Sequence, residues 1–122
     1  MKNVVLLDTT VGSMNVGDSI IKKAIDKALH NLLVENNVRT MPTRTIAFPW
    51  YQIRRDPRAS YVKNADYKFV CGTNLLHTCM LHHLNQWNMN IFNCRPLEGS
   101  ILFGVGAERG RVYLEWYTRR LY

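Results

Sequence analysis

The chain has 122 residues, a net charge of +7 and an apolar content of 47%. This length gives room for one domain with a real core. No apolar stretch approaches the roughly 20 uncharged residues that span a bilayer, and the ordinary contents of Gly and Pro exclude a collagen-like or low-complexity chain. The sequence therefore predicts a single domain over residues 1–122 with no membrane span.

The charge comes from 16 basic and nine acidic residues, and the basic ones are scattered along the chain. Such a balance favours anionic partners, namely phosphates, acidic sugars, nucleic acid or a lipid surface. A solvated basic surface without a partner explains it equally well. Since no RNA-recognition signature is present, nucleic acid is not the expected partner.

The three cysteines, Cys71, Cys79 and Cys94, are an odd number with wide spacing, which argues against a disulfide framework. The first residues do not form a signal peptide, because Asp8 interrupts a short apolar stretch. We therefore expect a reducing, cytoplasmic location.

The first predicted element is a buried strand at 4–7, which ends at Asp8. A loop rich in Gly, Thr, Ser and Asn follows, and then a helix with Asp18 as its expected N-cap. The helix is predicted from apolar residues that recur every three or four positions: Ile20, Ile21, Ala24, Ile25, Ala28, Leu29, Leu32 and Leu33.

The remaining predicted elements follow in chain order. They are a strand at 38–40, a long, partly ordered connection at 41–64, a strand at 67–71 ended by Gly72, a helical turn at 75–77, a short helix at 79–84, a buried strand at 101–106, and a helix at 111–122 whose Val112, Trp116 and Leu121 face the sheet.

Three buried strands, each followed by a polar or Gly-rich turn, predict an α/β fold with a Rossmann-like, doubly wound parallel sheet. Ligands of such sheets bind beyond the carboxyl ends of the strands. The turns at 9–18, 72–75 and 104–110 are therefore expected along one edge of the sheet.

The turn before the first helix, residues 11–18, offers Gly12 and Gly17 for tight backbone turns and a helix N-terminus for an anion or a sugar hydroxyl. Its glycine spacing is not that of a dinucleotide-binding fingerprint, and no P-loop lysine follows. Taken alone, this turn is explained better by a capped helix without a ligand.

Three short patterns in order resemble the polysaccharide pyruvyl transferase family. The first is the Asn-x-Gly-Asp turn, here Asn15-Val16-Gly17-Asp18, and the second is an Ala-Asp-introduced strand running into a glycine turn, here 65–76. The third is a strand ending in Gly-x-Gly, here 103–106. At the second turn the family has consecutive glycines, whereas this chain has Gly72 followed by Thr73 and Asn74.

The resemblance implies a transferase of carbohydrate biosynthesis that moves a pyruvate ketal from phosphoenolpyruvate to a saccharide acceptor. It also implies a glycosyltransferase-B-like fold, of which this chain is the N-terminal half. In the matched half Asp18 is the expected catalytic base or orienting group. The expected ligand contacts are Asn15, Gly17, Thr73 and Asn74, and no cofactor is expected.

With half of the cleft on another domain or subunit, the isolated chain is expected to be a truncated domain without activity. An apolar helix face at 111–122 without a following strand makes a homodimer plausible. The alternative is a small basic binding module for a nucleotide, RNA or a protein partner, favoured by the net charge.

Cysteine and histidine residues invite a zinc site, but their spacing fits no zinc template, so no metal site is expected. The residues concerned are Cys71, His77, Cys79, His82, His83 and Cys94. Aromatic side chains near arginines permit stacking on bases or sugars, although such residues more often belong to a core or its rim.

Overall fold

Four parallel strands form the main sheet of the computed structural model, which describes residues 1–43, 55–72, 74–77, 91, 93–107 and 116–121. The elements in chain order are β1 (Asn3–Asp8), α1 (Val16–Ala28), α2 (His30–Val34), β2 (Asn37–Pro42), α3 (Pro57–Lys63), β3 (Tyr67–Cys71), β4 (Asn74–Leu76), a 3₁₀ turn (Arg95–Leu97), β5 (Ile101–Phe103), β6 (Gly106–Ala107) and α4 (Trp116–Leu121).

The strand order of the main sheet is β2-β1-β3-β5, so β1 has a neighbour on each side. Its Leu6 lies opposite Thr40 of β2 and Phe69 of β3. Residues 4–7 are at most 2% exposed, and each such side chain contributes about 1.5–3 kcal/mol on burial. The prediction of a buried strand at 4–7 is confirmed.

Helices lie on both faces of this sheet. Val4 and Leu6 of β1 belong to an apolar cluster with α1 and α2, whereas Val5 and Leu7 belong to a second cluster with α3 and α4. Alternate residues of a strand point to opposite faces, and a strand covered on both faces has the continuous apolar run seen in β1. The α/β class and the parallel sheet are thus as predicted, and the arrangement is compatible with a Rossmann-like fold.

β5 is an edge strand, and this corrects the prediction of a third buried strand at 101–106. Ile101 and Leu102 are each 45% exposed, and among the described strands β5 pairs with β3 alone. An apolar run predicts a strand but does not give its place in the sheet.

A separate two-stranded parallel sheet, formed by β4 and β6, continues the pairing of β3 with β5. Gly72 and Gly104, both at positive φ, lie at the two points where the chain leaves the main sheet. The predicted helical turn at 75–77 is wrong, because residues 74–76 form β4 instead.

The first helix begins earlier than predicted and is interrupted. Asn15, not Asp18, is the N-cap of α1. The helix is interrupted at Leu29, which ends α1 and precedes α2. Ile20 is 64% exposed, which corrects its place on the predicted apolar face. Ile25, at 3% exposure, is the residue of α1 that enters the core.

The predicted long connection at 41–64 contains an additional helix, α3. Asp56 caps it by accepting a hydrogen bond from the amide of Arg58, and Pro57 takes its first position. A cap residue followed directly by proline is an ordinary helix start, so the sequence did carry the signal.

The last helix, α4, buries Tyr117 and Leu121, which are four residues apart and therefore share one face. Trp116 is 73% exposed, so its predicted contact with the sheet is wrong. Val112 and the predicted short helix at 79–84 lie outside the described residues. Across the part of the chain that the structure describes, every helix is too short or too polar to cross a membrane.

Candidate functional site

The candidate site lies at the carboxyl edge of the main sheet, where the strand order reverses. From β1 the chain passes through α1 and α2 to β2 on one side, and from β2 through α3 to β3 on the other. Because β1, β3 and β5 are adjacent and parallel, the turns that follow them meet at one edge, as predicted. In open α/β sheets this reversal is where ligands bind.

The predicted contacts Asn15 and Gly17 lie at the beginning of α1, and both are exposed. Asn15 Oδ1 accepts a hydrogen bond of 3.0 Å from the Gly17 amide, so this pair first serves as a helix cap. A Cβ at position 17 would lie 3.3 Å from Asn15 Oδ1. Glycine therefore lets the cap close tightly.

Asp18, the predicted catalytic residue, is only 4% exposed. Its Oδ2 accepts a hydrogen bond from the Ser13 hydroxyl, and Ser13 Oγ in turn accepts from the Asn15 amide at 3.2 Å. Ser13 thus links the carboxylate in the first turn of the helix to the amide of the cap residue. In a capping box the side chain of the third helical residue accepts directly from the backbone amide of the cap residue. Here the Ser13 hydroxyl stands between the two groups. The carboxylate is consequently fixed towards the loop at 9–15.

Asp8, which the sequence analysis treated only as the end of a strand, is a second buried carboxylate at this edge, with 3% exposure. Its Oδ1 accepts from the amide and the hydroxyl of Thr10, at 2.8 and 2.7 Å. Lys22 Nζ of α1 lies 3.9 Å from Asp8 Oδ2 and also pairs with Asp26. A polar residue that ends a central strand was the available signal for this site.

Thr9 and Gly72 hold the loop after β1 against the turn after β3. Thr9 Oγ1 donates to the carbonyl oxygen of Cys71 at 3.4 Å, and a Cβ at position 72 would lie only 2.4 Å from that hydroxyl. The φ of +127° at Gly72 is also disfavoured for other residues. The close approach of these two turns therefore depends on glycine.

The second turn is described only in part. Thr73, a predicted ligand contact, lies outside the described residues, and Asn74 begins β4, where it is the register partner of Gly106. The third turn packs against α1, since a Cβ at Gly104 would lie 3.6 Å from both Ile21 and Ile25. The backbone thus brings the described parts of the three predicted turns to one edge, and residues 108–110 of the third turn lie outside the described residues.

Cys71 ends β3 beside this edge, and burial raises the pKa of its thiol to about 12. Burial also raises the pKa of Cys94. Neither thiol is an activated nucleophile, because such chemistry needs a lowered pKa. No group of three metal-ligating side chains occurs among the described residues, and Cys79, His82 and His83 lie outside them.

Comparisons of the chain with protein-family models, with curated proteins and with solved structures find no match in any of the three.

Proposed function

We propose that the chain is a polysaccharide pyruvyl transferase-like protein that supplies the N-terminal half of a glycosyltransferase-B-like cleft. In this proposal the carboxyl edge of the sheet takes the saccharide acceptor, and phosphoenolpyruvate is the pyruvyl donor. The observation that carries the proposal is the convergence of the turns after β1, β3 and β5 at one edge. Those turns contain the three patterns that resemble the family.

Asp18 is the proposed base or orienting group for an acceptor hydroxyl. The Ser13 hydroxyl donates a hydrogen bond to Oδ2 of Asp18. The other oxygen, Oδ1, receives no hydrogen bond from the residues that the structure describes. A carboxylate held at one oxygen has its orientation fixed while the other oxygen retains acceptor capacity. That is the arrangement required to receive a proton from a sugar hydroxyl.

The proposed ligand contacts are Asn15 and Gly17 beside Asp18, and Thr73 and Asn74 on the second turn. The cap of α1 uses Asn15 Oδ1 and the Gly17 amide, and the backbone amide of Asn15 donates to Ser13. Among the described residues this leaves the side-chain Nδ2 of Asn15 as a donor. A sugar ring needs such neutral donors and acceptors in fixed positions, because each unmatched polar group costs binding energy.

The experiment that tests this proposal compares saccharide binding and phosphate release in Asp18→Asn and in the unchanged chain. Asparagine preserves the acceptor for Ser13 but cannot take a proton. We expect weak saccharide binding in both proteins. Once a complementing second domain is supplied, we expect the unchanged chain to release phosphate from phosphoenolpyruvate and Asp18→Asn to have lost this activity.

Asp56→Asn is the matched control, because Asp56 caps α3 on the other face of the sheet. Equal phosphate release in Asp18→Asn and Asp56→Asn would overturn the role of Asp18. Absence of saccharide binding, together with salt-dependent binding of mixed RNA, would favour a nucleic-acid-binding module.

A further inference from the structure

We propose that the outer face of α4, on the side of the main sheet that α3 and the 3₁₀ turn also cover, is a docking surface for an anionic lipid bilayer. The proposal is independent of the carboxyl-edge site and of the pyruvyl transferase-like function. It starts from Trp116, which is 73% exposed, whereas a tryptophan of a core is largely buried.

Trp116, Arg119 and Arg120 form one exposed face of α4. Residues three and four positions apart lie side by side on a helix, and all three are exposed. The other residues of the helix, Tyr117, Thr118 and Leu121, are buried. Neither arginine makes an ion pair with the residues that the structure describes. The face therefore combines a large apolar ring with two positive charges.

The indole of Trp116 contacts a neighbouring aromatic ring. It packs edge-on against the Tyr117 ring, with centroids 5.9 Å apart and an interplanar angle of 86°. The Tyr117 hydroxyl accepts a hydrogen bond of 3.3 Å from the amide of Ile91, which places Ile91, 40% exposed, beside α4. Trp116 and Ile91 are thus two exposed residues that each contact Tyr117.

The charge on this face of the sheet is one-sided. The described residues of α3 with its flank, of the 3₁₀ turn and of α4 include six exposed basic side chains: Arg55, Arg58, Lys63, Arg95, Arg119 and Arg120. They include two acidic side chains, Asp56, which pairs with Arg58, and Glu98. α1 and α2, on the opposite face, carry three lysines and two aspartates.

These features favour a lipid surface over single-stranded nucleic acid. A bilayer interface accepts tryptophan at the headgroup level and attracts nearby arginines through anionic lipids. Successive nucleobases need successive aromatic platforms. Among the described residues of this face, Trp116 is the one strongly exposed aromatic residue, and the exposed Ile91 is aliphatic.

The test measures co-sedimentation of the full chain with phosphatidylcholine vesicles that contain or lack phosphatidylglycerol, at low and high salt. Each basic residue near an anionic surface contributes about a fivefold change in affinity. We expect Arg119→Gln with Arg120→Gln to weaken binding to the anionic vesicles about 25-fold. Trp116→Ser is expected to remove a vesicle-induced blue shift of the tryptophan emission.

The matched control is Lys23→Gln with Lys27→Gln, which removes the same charge from exposed positions of α1. It is expected to leave most of the binding intact, and circular dichroism checks that all variants remain folded. The proposal is overturned if both vesicles bind equally, if the α1 control weakens binding as much as the α4 variant, or if single-stranded RNA displaces the chain from the vesicles without a blue shift.

Discussion

Gly72 is the residue on which the geometry of the carboxyl edge depends most directly. Its φ is +127°, and a Cβ there would meet Thr9 Oγ1 at 2.4 Å. Gly12 also has a positive φ, of +82°, but a Cβ there would meet no atom within 4 Å. The two glycines therefore separate the cost of backbone strain from the cost of a steric clash.

Gly72→Ala is expected to lower the free energy of unfolding by about 2–3 kcal/mol, since strain and clash act together. Gly12→Ala carries strain alone and is expected to cost about 1 kcal/mol. Urea denaturation measures both values. Equal losses in the two variants would show that Thr9 does not press against position 72.

The Cys71 thiol is expected to resist alkylation at about pH 8, because its reactive thiolate is scarce when burial raises the pKa to about 12. Mass spectrometry of iodoacetamide-treated protein, with and without denaturant, measures this. Modification of Cys71 in the folded chain at the rate seen in urea would contradict its burial.

The same thiol makes stability depend on pH in the alkaline range. An unfolded cysteine ionises near pH 9, whereas the folded thiol keeps its proton until about pH 12, so the unfolded chain loses its proton first. The stabilisation is complete below about pH 9 and declines as pH rises towards 12. The stability advantage of the unchanged chain over Cys71→Ala should accordingly shrink as the pH rises from about 9 towards 12, measured by urea denaturation.

At the scale of elements, the beginning of α1 combines structural and proposed functional roles in the same residues. Asn15 caps the helix and Ser13 joins that cap to Asp18. The sequence predicted a capped helix near this point but placed the cap three residues late, because asparagine and aspartate are equally good cap residues. Only the backbone of Asn15, which is extended, with ψ of 120°, decides between them.

Asn15→Ala is expected to lower the free energy of unfolding by about 1 kcal/mol through loss of the cap. Asn15→Asp retains an acceptor for the Gly17 amide and is expected to stay within about 0.5 kcal/mol of the unchanged chain. Thermal unfolding distinguishes the two. If Asn15→Asp loses saccharide binding while its stability is unchanged, the loss reflects a contact between Asn15 and the saccharide and not the loss of the cap.

The buried face of α1 was predicted only in part from its periodicity. Ile20 and Ile25 both fit the apolar pattern, but their exposed fractions are 64% and 3%. Ile25→Ala is expected to cost about 2–5 kcal/mol because it leaves a cavity, whereas Ile20→Ala should change stability by less than about 0.5 kcal/mol. Urea denaturation would show similar costs if the helix were rotated from its described position.

At the scale of the whole molecule, local signals predicted elements and tertiary contacts decided their positions. The run at 4–7 was recognised because a valine-rich apolar segment suits a covered strand, and the strand at 67–71 was recognised as a short run that ends at Gly72. The edge position of β5 and the pairing of β4 with β6 depend on neighbours distant in sequence, which no local pattern contains. The exposure of Trp116 depends in the same way on which face of α4 meets the sheet.

The same distinction applies to the candidate site. Asn15, Gly17 and Asp18 were predicted from a contiguous pattern, and the fold places that pattern at the carboxyl edge. Asp8 and Thr9 were not recognised as site residues, because their importance comes from contacts with Lys22 on a helix and with the turn at Gly72. A polar residue at the end of a buried strand has no distinctive spacing.

The most direct test of the proposed function is a map of amide chemical shifts in ¹⁵N-labelled protein during titration with a saccharide that carries a free pair of hydroxyl groups. We expect the perturbed amides to belong to the turns after β1, β3 and β5, residues 9–18, 72–75 and 104–107. We also expect Asp18→Asn to reduce those perturbations without unfolding the chain. Perturbations confined to other surfaces, or no perturbation at saturating saccharide, would contradict the proposed function.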